Sequence, residues 1–248
     1  MIQSLQRSME LLETMAVPDK SFSVSELSER LNLPPSTIHR ILKTFCAMQY
    51  VTKDNVAHLY KLGPALILLG KAATQNIRMN DAAKPILKTL SEQTQEDAFL
   101  IIRVGYKGVV YDKVEGPNNL KVVERFGSEV DLHWGALRKV LLAYQTEEFI
   151  REYIEHGLTP SPSHEFDKNT LYEELQQIRE DGYAASKGNY IANGYGVGAP
   201  VFDYQGQVVA SIGIIAPSSK MKKEVINQMK KAVLDASKNL SRQLGYIK

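Results

Sequence analysis

Ser36, Thr37, His39, Arg40 and Lys43 lie within one short stretch and carry most of the chemistry legible in this chain. Spaced on a helix, they fall opposite the apolar residues Ile38, Ile41, Leu42 and Phe45. Hydroxyls, imidazole, guanidinium and ammonium are the donors that phosphate oxygens and base-edge acceptors take. Other chemistries are poorly served. Asp112 and Glu115 sit three apart in a strand-like run and point to opposite faces, poor geometry for a carboxylate pair. The histidines at 39, 58, 133, 156 and 164 are scattered, with no HExxH spacing. Cys46 is the only thiol and falls in the apolar stripe, where it reads as a small buried hydrophobe. No catalytic set, metal site or cofactor is expected.

The donors need a helix that presents them. In 23–48, SVSELSERLNLPPSTIHRILKTFCAM, Ser23 is placed to cap a helix from Val24, with Glu26 reaching back to the Ser23 amide and Phe22 stapling against Leu27. Val24, Leu27 and Leu31 keep helical spacing, and Pro34-Pro35 stop that helix near Asn32. A second helix then opens at Pro34 or Pro35, where a missing amide costs nothing. This is a helix-turn-helix whose second member reads outward, and Pro35 joins the five donors at its entry.

Behind it, an amphipathic helix over Gln3 to Met15 is expected to bury Leu5, Met9, Leu12 and Met15. Beyond it, Tyr50–Thr52 and Leu59–Lys61 read as a β-hairpin wing with a polar tip. Lys53, His58 and Lys61 there extend the basic face, giving a local excess of three positive charges between Ser36 and Lys61. Gly63-Pro64 closes a domain at 1–63. A linker helix occupies 64–79, and a second domain runs over 80–248.

A length of 248 residues with 44% hydrophobic content allows two cored domains. The formal charge of +2 is uninformative taken globally. No apolar run approaches the roughly 20 residues that span a bilayer, and the first residues carry acids, unlike a secretory leader. A reducing, cytoplasmic setting without membrane partners is expected.

In the second domain, Asn80 or Asp81 is expected to cap a helix with Pro85 near its start and Ile86, Leu87 and Leu90 buried. The runs AFLIIRV, VVYDKVE and LKVVERF have the branched, Gly-punctuated character of antiparallel strands. Helices are expected over 135–154 and 169–179, a loop over 156–168, and a hairpin of APVFD and QVVASIGII about Tyr204-Gln205-Gly206. A final helix over 218–244 carries a lysine-rich face that reads as solvated surface. The fold class is mixed, with an N-terminal all-α winged helix-turn-helix and a C-terminal α+β domain on an antiparallel sheet.

The runs LSERLNLPPSTIHRILKTF, YVTKD and HLYKLGP resemble the N-terminal domain of the IclR-type bacterial transcriptional regulators. The likeness continues in order through VVYDKVEG, LHWGALRKVLLAY, IREDGYA and GAPVFDYQGQVVASIGIIAP. It implies a GAF-like sensor domain holding a small effector, and a homodimer or homotetramer on a palindromic double-stranded operator. By position it implies that His133, Trp134, Gly135 and Arg138 line the effector pocket. A second lining segment brings Ser186, Tyr190, Gly196, Gly213 and Ile215. The family commonly has Gly at the position of Arg138 and smaller residues at that of Trp134. Some members carry an acid, a cysteine and serines where Ser186, Gly196, Gly213 and Ile215 stand here. Arg138 at a helix N-terminus calls for an anion, either an acid such as Glu129 or Asp131 or an anionic effector. The competing reading is a metabolite-binding or catalytic protein whose helix-turn-helix serves protein contact.

Overall fold

A computed structural model describes residues 2–17, 19–76, 79–117, 129–156, 158–159 and 168–247, the side chains of 71, 73–76 and 169 excepted. The chain divides into two units, Met1–Asn76 and Ile77–Lys248. The first holds helices α1 (Gln3–Thr14), α2 (Val24–Leu31) and α3 (Pro35–Ala47), strands β1 (Val51–Lys53) and β2 (Tyr60–Leu62), and helix α4 (Ala65–Asn76). Leu11, Met15, Phe22, Leu27, Ile38, Leu42, Phe45, Val51 and Tyr60 form its core.

Helix α1 departs from the expected stripe. Leu11 and Met15 are buried, but Leu5 and Met9 are 54% and 47% exposed. Only the last turns of α1 reach α2 and the core, so periodicity marked an apolar face that its own unit half covers. The wing strands pair antiparallel one residue later than expected, Lys53 opposite Tyr60. Gly63 ends the wing by close approach: a Cβ there would meet the Gln49 carbonyl oxygen at 2.2 Å.

The second unit begins with α5 (Met79–Thr94). Asn80 and Asp81 lie inside it and not at its cap, because Met79 already packs on the core. Pro85 therefore falls mid-helix, on the exposed side where water serves the carbonyl it cannot. Strands β3 (Asp97–Val104), β4 (Lys107–Val114), β5 (Glu129–Asp131), β6 (Ala184–Lys187), β7 (Gly194–Phe202) and β8 (Val208–Pro217) form one antiparallel sheet in the order β5-β4-β3-β8-β7-β6. The expected strand LKVVERF and most of the expected loop 156–168 lie outside the described residues.

Side-chain alternation divides the sheet between two cores. Ala98, Leu100, Val197, Ala199, Ile212 and Ile214 face α5 and the final helix α9 (Lys223–Gln243). Phe99, Ile101 and Ile215 face the other layer, α6 (Gly135–Ala143), α7 (Glu147–His156) and α8 (Lys168–Asp181). The single helix expected over 135–154 is thus two. Thr146 Oγ accepts the Phe149 amide at 3.2 Å and opens α7, while Arg179 donates to the Ala143 and Gln145 carbonyls that end α6. A helix terminus needs such partners for its orphan groups, and α8 supplies them from 34 and 36 residues away.

Helix α6 is buried along its whole length. The sheet admits it because β7 and β8 present glycines beneath it. A Cβ on Gly198 would sit 2.8 Å from the Leu137 Cα, and one on Gly213 would sit 2.1 Å from the Val197 oxygen and 3.0 Å from Leu137 Cγ. At Gly196 the same atom would find ordinary contact, 3.6 Å from Ala136 Cβ. Gly198→Ala and Gly213→Ala are therefore expected to lose about 1 to 3 kcal/mol by overpacking. Gly196→Ala should change stability by less than about 1 kcal/mol. Denaturant titration of the three variants checks this order, and equal losses at all three would contradict the seating of α6 on the glycines.

Candidate nucleic-acid interface and ligand pocket

In the first unit, Ser23 Oγ accepts the Glu26 amide at 3.1 Å and caps α2. The reciprocal half of the expected box is replaced: the Glu26 carboxylate pairs with Lys20 at 2.8 Å and Arg30 at 3.1 Å. Hydrogen bonding to Lys20 is the main cause that holds its pKa below the ordinary carboxylate value. Asn32 ends α2 in the left-handed region at φ 51°, with Asn32 N donating to Glu29 O and Leu33 N to Ser28 O. That sharp turn aims α3. Ile38, Leu42 and Phe45 bury against the core, and Pro35, Ser36, His39, Arg40 and Lys43 are exposed on the far side, with Thr37 half-buried.

Among the described residues, no hydrogen bond or ion pair holds the side chains of His39, Arg40 or Lys43. Such a row of uncommitted donors matches what phosphates and base edges accept. The wing carries Lys53, His58 and Lys61, all exposed. Its tip is shaped by Asp54, whose Oδ1 accepts the Val56 and Ala57 amides at 2.8 and 3.0 Å. Those two amides hold the carboxyl below its ordinary pKa. Tyr60 and Phe22 exchange backbone hydrogen bonds at 2.8 Å, tying the wing to the entry of α2.

The second unit has a cavity at the N-terminus of α6. Gly135, Arg138, Ser186, Tyr190, Gly196 and Ile215 of the anticipated set line it. Asn189, which sequence reasoning missed, joins them: its Oδ1 accepts the Gly135 amide at 2.9 Å, and Ser186 Oγ accepts the Ala136 amide at 2.9 Å. Only the side-chain oxygen of Asn189, in a Gly-Asn loop, hinted at this capping role. Arg138 is 1% exposed. Its stem crosses Gly108, its Nε donates to the Gly108 carbonyl at 3.3 Å, and its guanidinium lies over the Tyr190 ring at 4.8 Å. Asp131, one of the acids expected to answer it, instead binds Lys107 at 2.5 Å and Thr159 at 2.6 Å. Burial raises the Asp131 carboxyl, but those two donors outweigh it and hold the pKa below the usual range.

The remaining three anticipated residues stand elsewhere. Gly213 lies under Leu137, where it gives α6 room. Trp134 is 7% exposed and rests against the His133 ring. His133 is fully buried, with Nδ1 2.6 Å from Tyr153 Oη and Nε2 3.1 Å from the Thr159 carbonyl. A carbonyl only accepts, so Nε2 carries the proton and Nδ1 accepts from the tyrosine. A residue read as a pocket wall from its motif is a core partner, because the loop into α6 turns its side chain toward α7. Among the described residues, no group of three His, Cys, Asp or Glu is disposed to hold a metal. None of the described helices is long and apolar enough to cross a membrane.

Burial holds the His133 imidazole below its ordinary pKa of 6.5. The unfolded chain therefore takes up the proton first as pH falls, so stability is flat above about pH 7 and declines below 6.5 toward the depressed folded value. The Asp131 contribution is present above its unfolded pKa and is lost only at lower pH. Melting curves at pH 7.5 and 5.5 should show this decline, and His133→Gln should remove most of it. A wild-type melt that does not change between those pH values would refute a neutral buried imidazole.

Residues 71–242 match the family described as bacterial transcriptional regulator IclR C-terminal, and residues 4–55 match the IclR helix-turn-helix domain. The HTH-type transcriptional repressor AllR of Escherichia coli K12 is 29% identical over 245 residues, covering 98% of this chain and 90% of that protein. The crystal structure of Agobacterium tumefaciens repressor BlcR superposes with a TM-score of 0.82 at 20% identity, over 100% of this chain and 99% of that one. The Thermotoga maritima IclR structure has a TM-score of 0.64 at 29% identity, over 99% and 100% of the two chains. With both of its units matched in order, the chain belongs to the IclR family of bacterial transcriptional regulators.

Proposed function

We propose that this regulator reads a palindromic operator through α3 and the wing, as a dimer or a tetramer, and that a small molecule in the second unit sets its affinity. The observation that carries the reading is the exposed row of Ser36, His39, Arg40 and Lys43 on α3, which has Pro35 and Thr37 at its entry. Arg40 and His39 reach base edges, while Lys43, Lys53, His58 and Lys61 hold phosphates and set the register.

Pairing is supported by physics on both sides of the contact. One α3 reads too few base pairs, and two recognition helices about 34 Å apart match half-sites one turn apart. The first unit also leaves apolar surface uncovered, with Ile2 just before α1, Leu5 and Met9 on it, and Ile67 and Leu68, 70% exposed, on α4. Copies of the chain are the natural cover, with α4 serving as the linker helix over 64–79. A regulator of this kind works on cytoplasmic DNA.

The effector reading draws on the α6 cavity, with Gly135, Arg138, Ser186, Tyr190, Gly196 and Ile215 on its wall. Gly213 lies beneath Leu137 on that wall, and His133 and Trp134 stand in the loop that leads into it. An IclR homologue from Microbacterium hydrocarbonoxydans, 20% identical with a TM-score of 0.58, was crystallised in complex with 4-hydroxybenzoate. An anionic effector fits the cation at Arg138.

Selection of genomic fragments followed by anisotropy titration over a salt series tests the DNA reading. Arg40→Ala should lose about 1 to 3 kcal/mol of specific binding and relax preference at one position, with an unchanged melt. Lys53→Ala should weaken all sequences alike and lower the salt slope by about one. Parental affinity in the Arg40→Ala variant at matched salt would remove α3 as the reader.

A further inference from the structure

The α6 cavity is already full. Its free space amounts to about 20 Å³, the room of about one water, whereas a cavity that accepts a benzene ring needs about 150 Å³. What fills it is the loop between β6 and β7. Tyr190 lays its ring over the Arg138 guanidinium at 4.8 Å, and its Cβ stands 3.3 Å from where a side chain on Gly135 would begin. Beside it, Asn189 and Ser186 put oxygens on the Gly135 and Ala136 amides, both at 2.9 Å.

Together these groups present a ring to the cation and two oxygens to adjacent helix-end amides, which is what an aromatic carboxylate would present. The loop is closed on itself at its base. Gly188 enters it in the left-handed region at φ 66°, and its amide closes the loop on the Gly194 carbonyl at 2.8 Å. Tyr190 itself is 36% exposed, so it reaches the cavity from the surface and not from the core.

We propose that the Asn189–Tyr190 loop is a built-in occupant of the effector cavity, and that an aromatic carboxylate binds by displacing it. The proposal rests on reading the second unit as an effector domain and adds the regulation of that site. The ligand's ring replaces the Tyr190 ring over Arg138, and its carboxylate takes the Gly135 amide that Asn189 holds, beside the Ser186 hydroxyl that stays on β6. Because the two compete, an occupant in place in about nine molecules of ten weakens the ligand about tenfold.

Calorimetry with benzoate on the full chain, comparing wild type, Tyr190→Ala and Tyr190→Phe, tests it. Tyr190→Ala should bind benzoate at least tenfold more tightly than wild type, and Tyr190→Phe, which keeps the ring, should stay within about threefold of it. The cresol 4-methylphenol has the shape of the deleted side chain and should raise the melting temperature of Tyr190→Ala but not of wild type. Tyr190→Ser serves as the second small variant should Tyr190→Ala melt early. Equal benzoate affinity in folded wild type and variant, or a variant that binds neither benzoate nor the cresol, would overturn the proposal. Operator binding by the unliganded wild type is measured alongside. Its absence counts against the regulator reading, whereas the benzoate comparison alone decides the occupant.

Discussion

The second unit depends on the seating of α6 in the sheet. Side chains normally stand between a helix and the sheet it covers, and here Gly198 and Gly213 remove them. The gap is closed by backbone, and one buried hydroxyl fixes the depth: Ser211 Oγ donates to the Leu137 carbonyl at 2.6 Å. Everything in the ligand pocket follows from that position. Gly135 and Ala136 amides face β6 and its loop, and Arg138 is delivered across Gly108 to the cavity. Lys139, nearly buried, turns the other way to Glu174 at 2.5 Å and ties α8 to the same helix.

Charge in this layer is managed by local pairing. Lys107 takes Asp131, Lys139 takes Glu174, and Arg179 takes Glu147 together with the end of α6. Each pair has at least one partner open to solvent and adds little stability; Lys107–Asp131 ties β4 to β5, while the other two fix where α8 lies against α6 and α7. The pairs leave the α6 N-terminus to polar, uncharged oxygens from Ser186 and Asn189, whose hold is weaker than that of an ionised ligand.

The first unit follows a simpler constraint. Its core is small, and the Phe22–Tyr60 bridge joins the wing to the loop before α2, so helix and hairpin are held as one surface. Ser23, Asn32 and Pro35 set the start, the stop and the restart of the helices. With those ends set, one face of α3 is committed to the core and the other is left to present donors.

Local signals were legible where the physics is local. Caps and proline stops in 23–48 placed both ends of α2 and the start of α3 to within a residue, the branched, glycine-punctuated runs placed β3 and β4, and the hairpin about Tyr204-Gln205-Gly206 placed β8 and the second half of β7. The order of motifs along the chain named the family. Tertiary contacts decided the rest. Leu5 and Met9 read as core and are exposed, since periodicity reports an apolar face but not whether anything in the same unit covers it. The helix over 135–154 breaks at Thr146 because Arg179, distant in sequence, satisfies the carbonyls at the break. His133 and Arg138 share one motif and were read as one wall. Their directions were set by which neighbours the sheet brought near: Tyr153 drew the imidazole into the core, and Gly108 left a channel for the guanidinium. A sequence carries the donors, acceptors and breaks of its own segment, while the direction of a buried side chain depends on atoms contributed by strands and helices far along the chain.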